Sequence, residues 1–388
     1  MRRTQKDGYL PTLDGWRAIA ILAVLFDHLA EYSPSRNYSR LGVFTHTGPN
    51  GVSLFFAISG FLICSRLLDE QRAFGSISLR GFYIRRGCRI LPPALLYLIV
   101  IGVLSLAGLI VVSSAEWWSS FLFFRNYLPP HWIDRGWGGY TIHYWSLAVE
   151  EHFYLLWPAA LVLFGKRNAR WFGLTLALAV AVWRTLDFQH QWFSHWFPGL
   201  LFGSRTDIRL DALLLGCLIA LVFDNGRAKT AFSERFRPWM WWLLVAAYFG
   251  IQVIYFCEHS RSYSILEAAL LALIVMGTAF GNNTRIFALL EWPPMKWIGR
   301  LSYSLYLWQQ LFLLPQATSG MAILQRFPIN LFMIFLCAWL SYHFVERPFI
   351  RLGHRLAPPP TQGREDIARR AAIECSPVTS EVAQEAAG

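Results

Sequence analysis

Polar and apolar positions along the chain separate into long apolar runs joined by short polar segments. Ten runs approach or reach bilayer-spanning length, at about 16–32, 50–68, 91–113, 145–165, 171–186, 208–224, 238–256, 264–281, 299–315 and 327–345. The pattern predicts an all-α fold: a polytopic membrane helix bundle of about ten transmembrane helices within a membrane domain covering 10–352. Several runs are short or carry charges, so part of the bundle is expected to face a polar interior rather than lipid. There is no internal repeat, no low-complexity tract and no soluble domain inserted between spans. Beyond Glu346 the chain turns polar and basic, then rich in Ala and Glu, and 357–388 reads as a disordered cytoplasmic tail.

The cations orient this bundle. With the N-terminus inside, 23 Arg and Lys residues fall in inside segments and seven in outside segments of comparable summed length, as the positive-inside rule requires. Every loop pair agrees, which favours ten spans with both termini cytoplasmic over nine or eleven. The segment 1–6 with the apolar run after it resembles a signal sequence, but no small-residue cleavage site follows, so it is expected to remain as the first span. The chain is therefore expected to be a multi-pass protein of the cytoplasmic (inner) membrane.

Composition supports the same class. Of 388 residues, 55% are hydrophobic and 15% charged, against roughly 25% charged in an average soluble domain, which excludes an ordinary cytosolic enzyme. The net charge of +11 is accounted for by the inside loops, and no aromatic and basic groove pattern points to nucleic acid. The six cysteines are scattered without a C-x-x-C pair, so neither a disulfide framework nor a thiolate metal site is expected.

Charges inside the membrane are costly unless paired or hydrated, so they mark where chemistry should be sought. The first helix places Arg17 and His28 within about 20° of each other around its axis and about 16 Å apart along it, with Asp14 and Glu31 near the same line. The plain structural alternative is an Arg17 that snorkels to the headgroups and a His28 hydrogen-bonded in the bundle. In RGFYIRRGCRILPP, an inside loop, Arg86 and Arg89 share one face of a helical turn, which suits bidentate contacts to phosphate and equally a positive-inside anchor. In HYWSLAVEEHFYLLWP, Glu150 and Glu151 lie about 100° apart, so one can face the interior and the other the rim. Asp207, Arg209 and Asp211, at the outer mouth of the sixth run, suit helix-locking ion pairs as well as catalysis.

Seven segments in order, over nearly all of 10–352, carry a resemblance to a known family. They are LDGWRAIAILAVLFDH with its Arg17-x10-His28 spacing, GVSLFFAISGFLI, the Arg86-x-x-Arg89 loop, YWSLAVEEHFYLLWP, RLDALLLG, IGRLSYSLYLW and SYHFVERPF. Together they resemble the membrane acyltransferase 3 family, whose members transfer acyl groups to hydroxyls of cell-surface sugars, antibiotics or lipids. The resemblance implies that His28 is catalytic and that Arg17, Arg86 and Arg89 handle acyl-CoA. Two departures stand out. Gln309 follows Tyr306-Leu307-Trp308 where relatives commonly have His, and Ser53 stands where they often carry an acid.

Predicted topology and resemblance combine into one expectation. The phosphates of cytosolic acyl-CoA, acetyl-CoA foremost, dock on Arg86 and Arg89 with Arg17 beside them, and the pantetheine arm runs up toward His28. Neutral His28 acts as general base on an acceptor hydroxyl, with an acyl-His intermediate as the competing scheme. Glu150 first, and Glu151 second, are the expected carboxylate partners of the imidazole; Asp27 is less suited, since adjacent helical residues point about 100° apart. Ser59, Tyr154 and Trp145 are the expected oxyanion donors. No metal and no permanently bound cofactor is expected. The acceptor is expected to be a surface polysaccharide or a glycolipid precursor reached from the outer face. Alternatives are a secreted small molecule such as a macrolide sugar, or, outside enzymes, a proton-coupled transporter lined by the polar stripe. With only about forty residues after the last run, no appended hydrolase-like domain is expected, which leaves room for a separate periplasmic transferase partner.

Overall fold

The structure is a computed structural model and describes residues 9–31, 48–128, 139–197, 202–257, 265–281, 284–314 and 320–357. The tail from 358 onward, on which a disordered segment was expected, lies outside the described residues, as does the segment 1–6. Every regular element among the described residues is helical. In chain order they are α1 (Pro11–Glu31), α2 (Gly48–Phe74), α3 (Leu79–Leu106), α4 (Ser114–Phe121), α5 (Tyr144–His190), α6 (Trp192–Trp196), α7 (Thr206–Phe223), α8 (Gly226–Arg235), α9 (Pro238–Cys257), α10 (Ile265–Phe280), α11 (Thr284–Leu290), α12 (Pro293–Leu313), α13 (Ile329–Ser341) and α14 (Arg347–Leu356).

Each apolar run read from the sequence overlaps helix among the described residues, though the third, read to 113, ends as helix at Leu106. The fourth and fifth runs are two helices of α5 that meet at a kink at Gly165, whose φ of 68° and ψ of 168° a side chain would resist. The stretch carrying Arg86 and Arg89, read as a loop, is instead the first half of α3. Ser78 caps that helix by accepting from the Gly81 N–H at 3.1 Å, so it begins well before Pro92 and Pro93. Those prolines lack the N–H groups that would bond the carbonyls of Cys88 and Arg89, yet the helix runs on through them. Glu70 secures the α2–α3 turn by accepting from the Ser78 N–H at 2.8 Å and pairing with Arg85 at 3.0 Å. At the other end of the chain, helix extends past the expected stop at 345. A π-helical turn, Tyr342–Glu346, carries α13 directly into α14, where Arg347, Arg351 and Arg355 are exposed.

Helix α1 sits at the centre of the part that matters for chemistry, packed between α2 and α12, while α2 lies along α7, α7 along α5, α13 along α12 and α14 along α3. Small residues allow these approaches. A Cβ on Gly60 of α2 would run into the Leu213 carbonyl of α7, and one on Gly216 of α7 into the Ala57 carbonyl of α2. Trp16 Nε1 donates to Thr278 Oγ1 at 2.7 Å and ties α1 to α10.

Apolar side chains also cover much of the outside. Leu106, Leu163, Phe332 and Phe344 are among many large hydrophobics that stand exposed, as suits a surface in contact with hydrocarbon. Four helical stretches among the described residues are long and apolar enough to cross a membrane, namely Gly48–Phe74, Leu79–Leu106, Tyr144–His190 and the continuous Ile329–Leu356. Pro238–Ile254 and Ile265–Phe280 are shorter apolar helices. The architecture is that of an all-helical bundle with several segments compatible with a bilayer.

Candidate active site

A cavity of about 450 Å³ opens among α1, α2 and α3, and its walls carry Arg17, Ser59, Arg66, Arg86 and Arg89, with Asp14 at the rim. Three different helices supply the cations. Arg17 comes from the first half of α1, Arg66 from α2, and Arg86 and Arg89 from successive turns of α3. Arg72 and Arg85 also line it, paired with Asp69 and Glu70, as does Lys229; the guanidiniums of Arg17, Arg66, Arg86 and Arg89 repel each other and these neighbours unless further counter-charges or an anionic ligand stand among them.

Counter-charges are present on α5 and at the α13–α14 junction. Glu150 lies near the Ser59 and Tyr154 hydroxyls and in the field of Arg86 and Arg17. Arg86 in turn lies over the Tyr154 ring at 4.9 Å and near the Phe82 ring at 6.0 Å. Glu346, 1% exposed, accepts from Ser304 Oγ at 2.8 Å and faces the charges of Arg89 and Arg17. Glu151 lies in the field of Glu150 and Arg86, and its Oε1 is buried without a hydrogen bond. Asp14 turns aside to Tyr9 at 2.5 Å and to Arg300 of α12 at 3.5 Å.

His28 stands eleven residues further along the unbroken α1, about 16 Å from Arg17 by helical rise. It is half-buried, and its Nδ1 lies 3.4 Å from Oε1 of Gln309, a fully buried residue of α12. One turn back on the same face of α12, the Tyr306 hydroxyl donates to the His143 carbonyl at 3.1 Å and is 2.6 Å from Ser146 Oγ. The His143 ring is 2% exposed, packs edge-on against Tyr97, Tyr144 and Tyr306, and lies close enough to His28 to sense its charge. The side chain of Asp27 lies against Gly48 in the first turn of α2. The side chain of Glu31 lies outside the described residues.

The structure thus brings Arg17, Arg86 and Arg89 into one cavity, and adds Arg66 of α2. Glu150 and Glu151 sit with these arginines rather than at His28, and the hydrogen bond to the imidazole Nδ1 is made by the amide of Gln309. Half-buried guanidiniums stabilise a carboxylate there more than one neutral ring would. Ser59 and Tyr154, considered as oxyanion donors, lie near Glu150. Trp145 packs on Phe56 and under the Arg209 guanidinium at 5.4 Å. Glu346 had a visible signal, a lone acid in SYHFVERPF, but its facing of Arg89 depends on how α13 meets α3.

Ion pairs occupy the end of the bundle where α5 and α7 meet the connecting segments. Arg205 bonds Asp187 at 2.6 Å, pairs with Asp207 and stacks over Phe193, while Arg184 of α5 pairs with Asp211 of α7 at 2.9 Å. Asp207 and Asp211 therefore lock helices and connecting segments together. Burial pushes the Arg125 guanidinium below its ordinary range, with Glu116 at 3.8 Å acting against that. Among the described residues no group of three or more His, Cys, Asp or Glu is placed to hold a metal.

An all-helical bundle with a polyarginine cavity at one level and a half-buried imidazole further along the same helix has the parts of a membrane group-transfer enzyme. The chain belongs to the family described as an acyltransferase domain, which matches residues 10–346 and is the membrane acyltransferase 3 family its motifs resemble. Among curated proteins it is 29% identical to the putative peptidoglycan O-acetyltransferase YrhL of Bacillus subtilis, over 91% of this chain and 57% of that one. It is likewise 29% identical to the peptidoglycan O-acetyltransferase OatA of Listeria monocytogenes, over 91% of this chain and 58% of that one. A putative O-acetyltransferase of Staphylococcus aureus is 27% identical over 90% of this chain and 58% of its own length. The chain thus spans a little over half the length of these relatives. No solved structure matches it.

Proposed function

We propose that this chain is an integral-membrane O-acetyltransferase that takes an acetyl group from acyl-CoA and delivers it to a carbohydrate hydroxyl at the cell surface. The observation that carries the reading is the gathering of Arg17, Arg66, Arg86 and Arg89 around one cavity on the helix that also bears His28. Guanidiniums suit phosphate oxygens by geometry and charge, and several in one hollow select a polyphosphorylated ligand over a neutral one. The rise of about 16 Å from Arg17 to His28 is comparable to the length of the pantetheine arm. A donor anchored at the arginines therefore reaches the imidazole with its thioester. The bias of cations toward one set of loops puts the arginine cavity on the cytoplasmic side, where acyl-CoA is found.

In this reading neutral His28 removes the proton of the acceptor hydroxyl as the oxygen attacks the thioester carbonyl, and returns it to the departing CoA thiolate. Glu150 and Glu346 moderate the repulsion among the arginines while the cavity is without ligand, so their role is in the donor site. Peptidoglycan or a related glycan is the favoured acceptor, because two relatives carry that substrate in their names. Where that glycan lies out of reach, a separate extracytoplasmic transferase would carry the acetyl group onward.

The test is acetyl transfer by membranes holding the full chain, with isotope-labelled acetyl-CoA and mass analysis of the glycans. His28→Ala is expected to abolish transfer at unchanged expression and membrane insertion. Retained transfer would remove His28 from the mechanism.

A further inference from the structure

We infer that Gln309 is a catalytic residue in which one planar amide serves two purposes: Oε1 holds the His28 imidazole, and Nε2 donates to the oxyanion that forms on the thioester carbonyl. The inference rests on the reading of His28 as the base. Its ground is the position and unequal use of the two ends of this side chain. Oε1 lies 3.4 Å from Nδ1 of His28, across the packed α1–α12 interface. With a carbonyl oxygen as its acceptor, Nδ1 carries the proton and Nε2 of the imidazole is the basic nitrogen, as a general base toward the acceptor requires. The Nε2 of Gln309 is buried in a residue of 0% exposure and has no hydrogen-bond partner.

Buried amide donors without partners are rare in folded proteins and mark places where a ligand or transient charge completes the set. Here the unsatisfied donor belongs to the same amide that touches the imidazole.

The step balances without another reactant. As the acceptor oxygen bonds to the carbonyl carbon, its proton passes to Nε2 of His28 and the carbonyl π pair moves onto oxygen, which accepts a hydrogen bond from the Gln309 Nε2–H. The C–S bond then breaks, the thiolate leaves with the proton from the imidazolium, and the amide is unchanged.

The experiment compares wild type, Gln309→Leu, Gln309→Glu and His28→Ala as full chains in lipid nanodiscs, with acetyl-CoA as donor and N-acetylglucosamine oligomers as acceptor. Gln309→Leu removes both functions, and kcat is expected to fall on the order of 10²- to 10³-fold with the KM for acetyl-CoA nearly unchanged. Gln309→Glu keeps an oxygen against Nδ1 but loses the donor. Its kcat should fall comparably, and the acid limb of its pH–rate profile should move upward because a carboxylate favours the imidazolium. A merely structural role would not move that limb. Wild-type kcat in Gln309→Glu, or an acid limb that stays in place, overturns the proposal even if Gln309→Leu fails to fold. An active His28→Ala removes the reading of the base itself, whereas an inactive His28→Ala with a wild-type Gln309→Glu removes only the role of Gln309.

Discussion

Replacing Arg89 by Ala tests the donor site with less disturbance of α5 than replacing Arg86. Arg86 is held over Tyr154 and moderates Glu150, so removing it would also disturb α5. Arg89 lines the same cavity, one helical turn further along α3. A hydrogen bond to a charged partner contributes about 1.5–3 kcal/mol net, and each 1.4 kcal/mol is tenfold in affinity. If Arg89 makes one such contact to a CoA phosphate, Arg89→Ala should raise the KM for acetyl-CoA roughly 10- to 150-fold while kcat falls much less. Arg86 and Arg89 would share one ligand, so the double variant should lose less than the product of the single effects. The assay is steady-state transfer with each substrate varied in turn. Exposed Arg80, at the start of the same helix and outside the cavity lining, serves as control. Equal rises in donor and acceptor KM, or an equal effect from Arg80→Ala, would show that only bulk positive charge is being measured and would refute a specific phosphate contact.

Two further outcomes follow from packing and charge. Gly60→Ala places a methyl against the Leu213 carbonyl between α2 and α7 and should destabilise the bundle by about 1–3 kcal/mol, whereas Gly250→Ala, with open space around it, should not; thermal unfolding in detergent compares them. A cysteine introduced at exposed Arg80 should be labelled by an impermeant thiol reagent only from the cytosolic side, and one at exposed Arg326 only from the opposite side; labelling of both from one side would overturn the orientation.

The helices were legible because an apolar run long enough to span a bilayer has few folded options. Boundaries were less so. Pro92 and Pro93 read as the start of a span, although the cap at Ser78 starts the helix earlier and so turns the Arg86/Arg89 segment into a rigid wall of the cavity. The pairing of Arg17 with His28 on one helix face was visible, since it depends on angular spacing within a single element.

By itself, the sequence determined a helical membrane chain, the stripe on α1 and the supply of arginines on one set of loops, because length, periodicity and charge asymmetry are local properties. Only tertiary structure decided which charges meet. Gln309 lies 281 positions from His28, and Glu150 could have faced either the imidazole or the arginines from the same helix. That choice is made by close approach at glycines and by the demand of each buried charge for a partner, neither of which is written in any one segment.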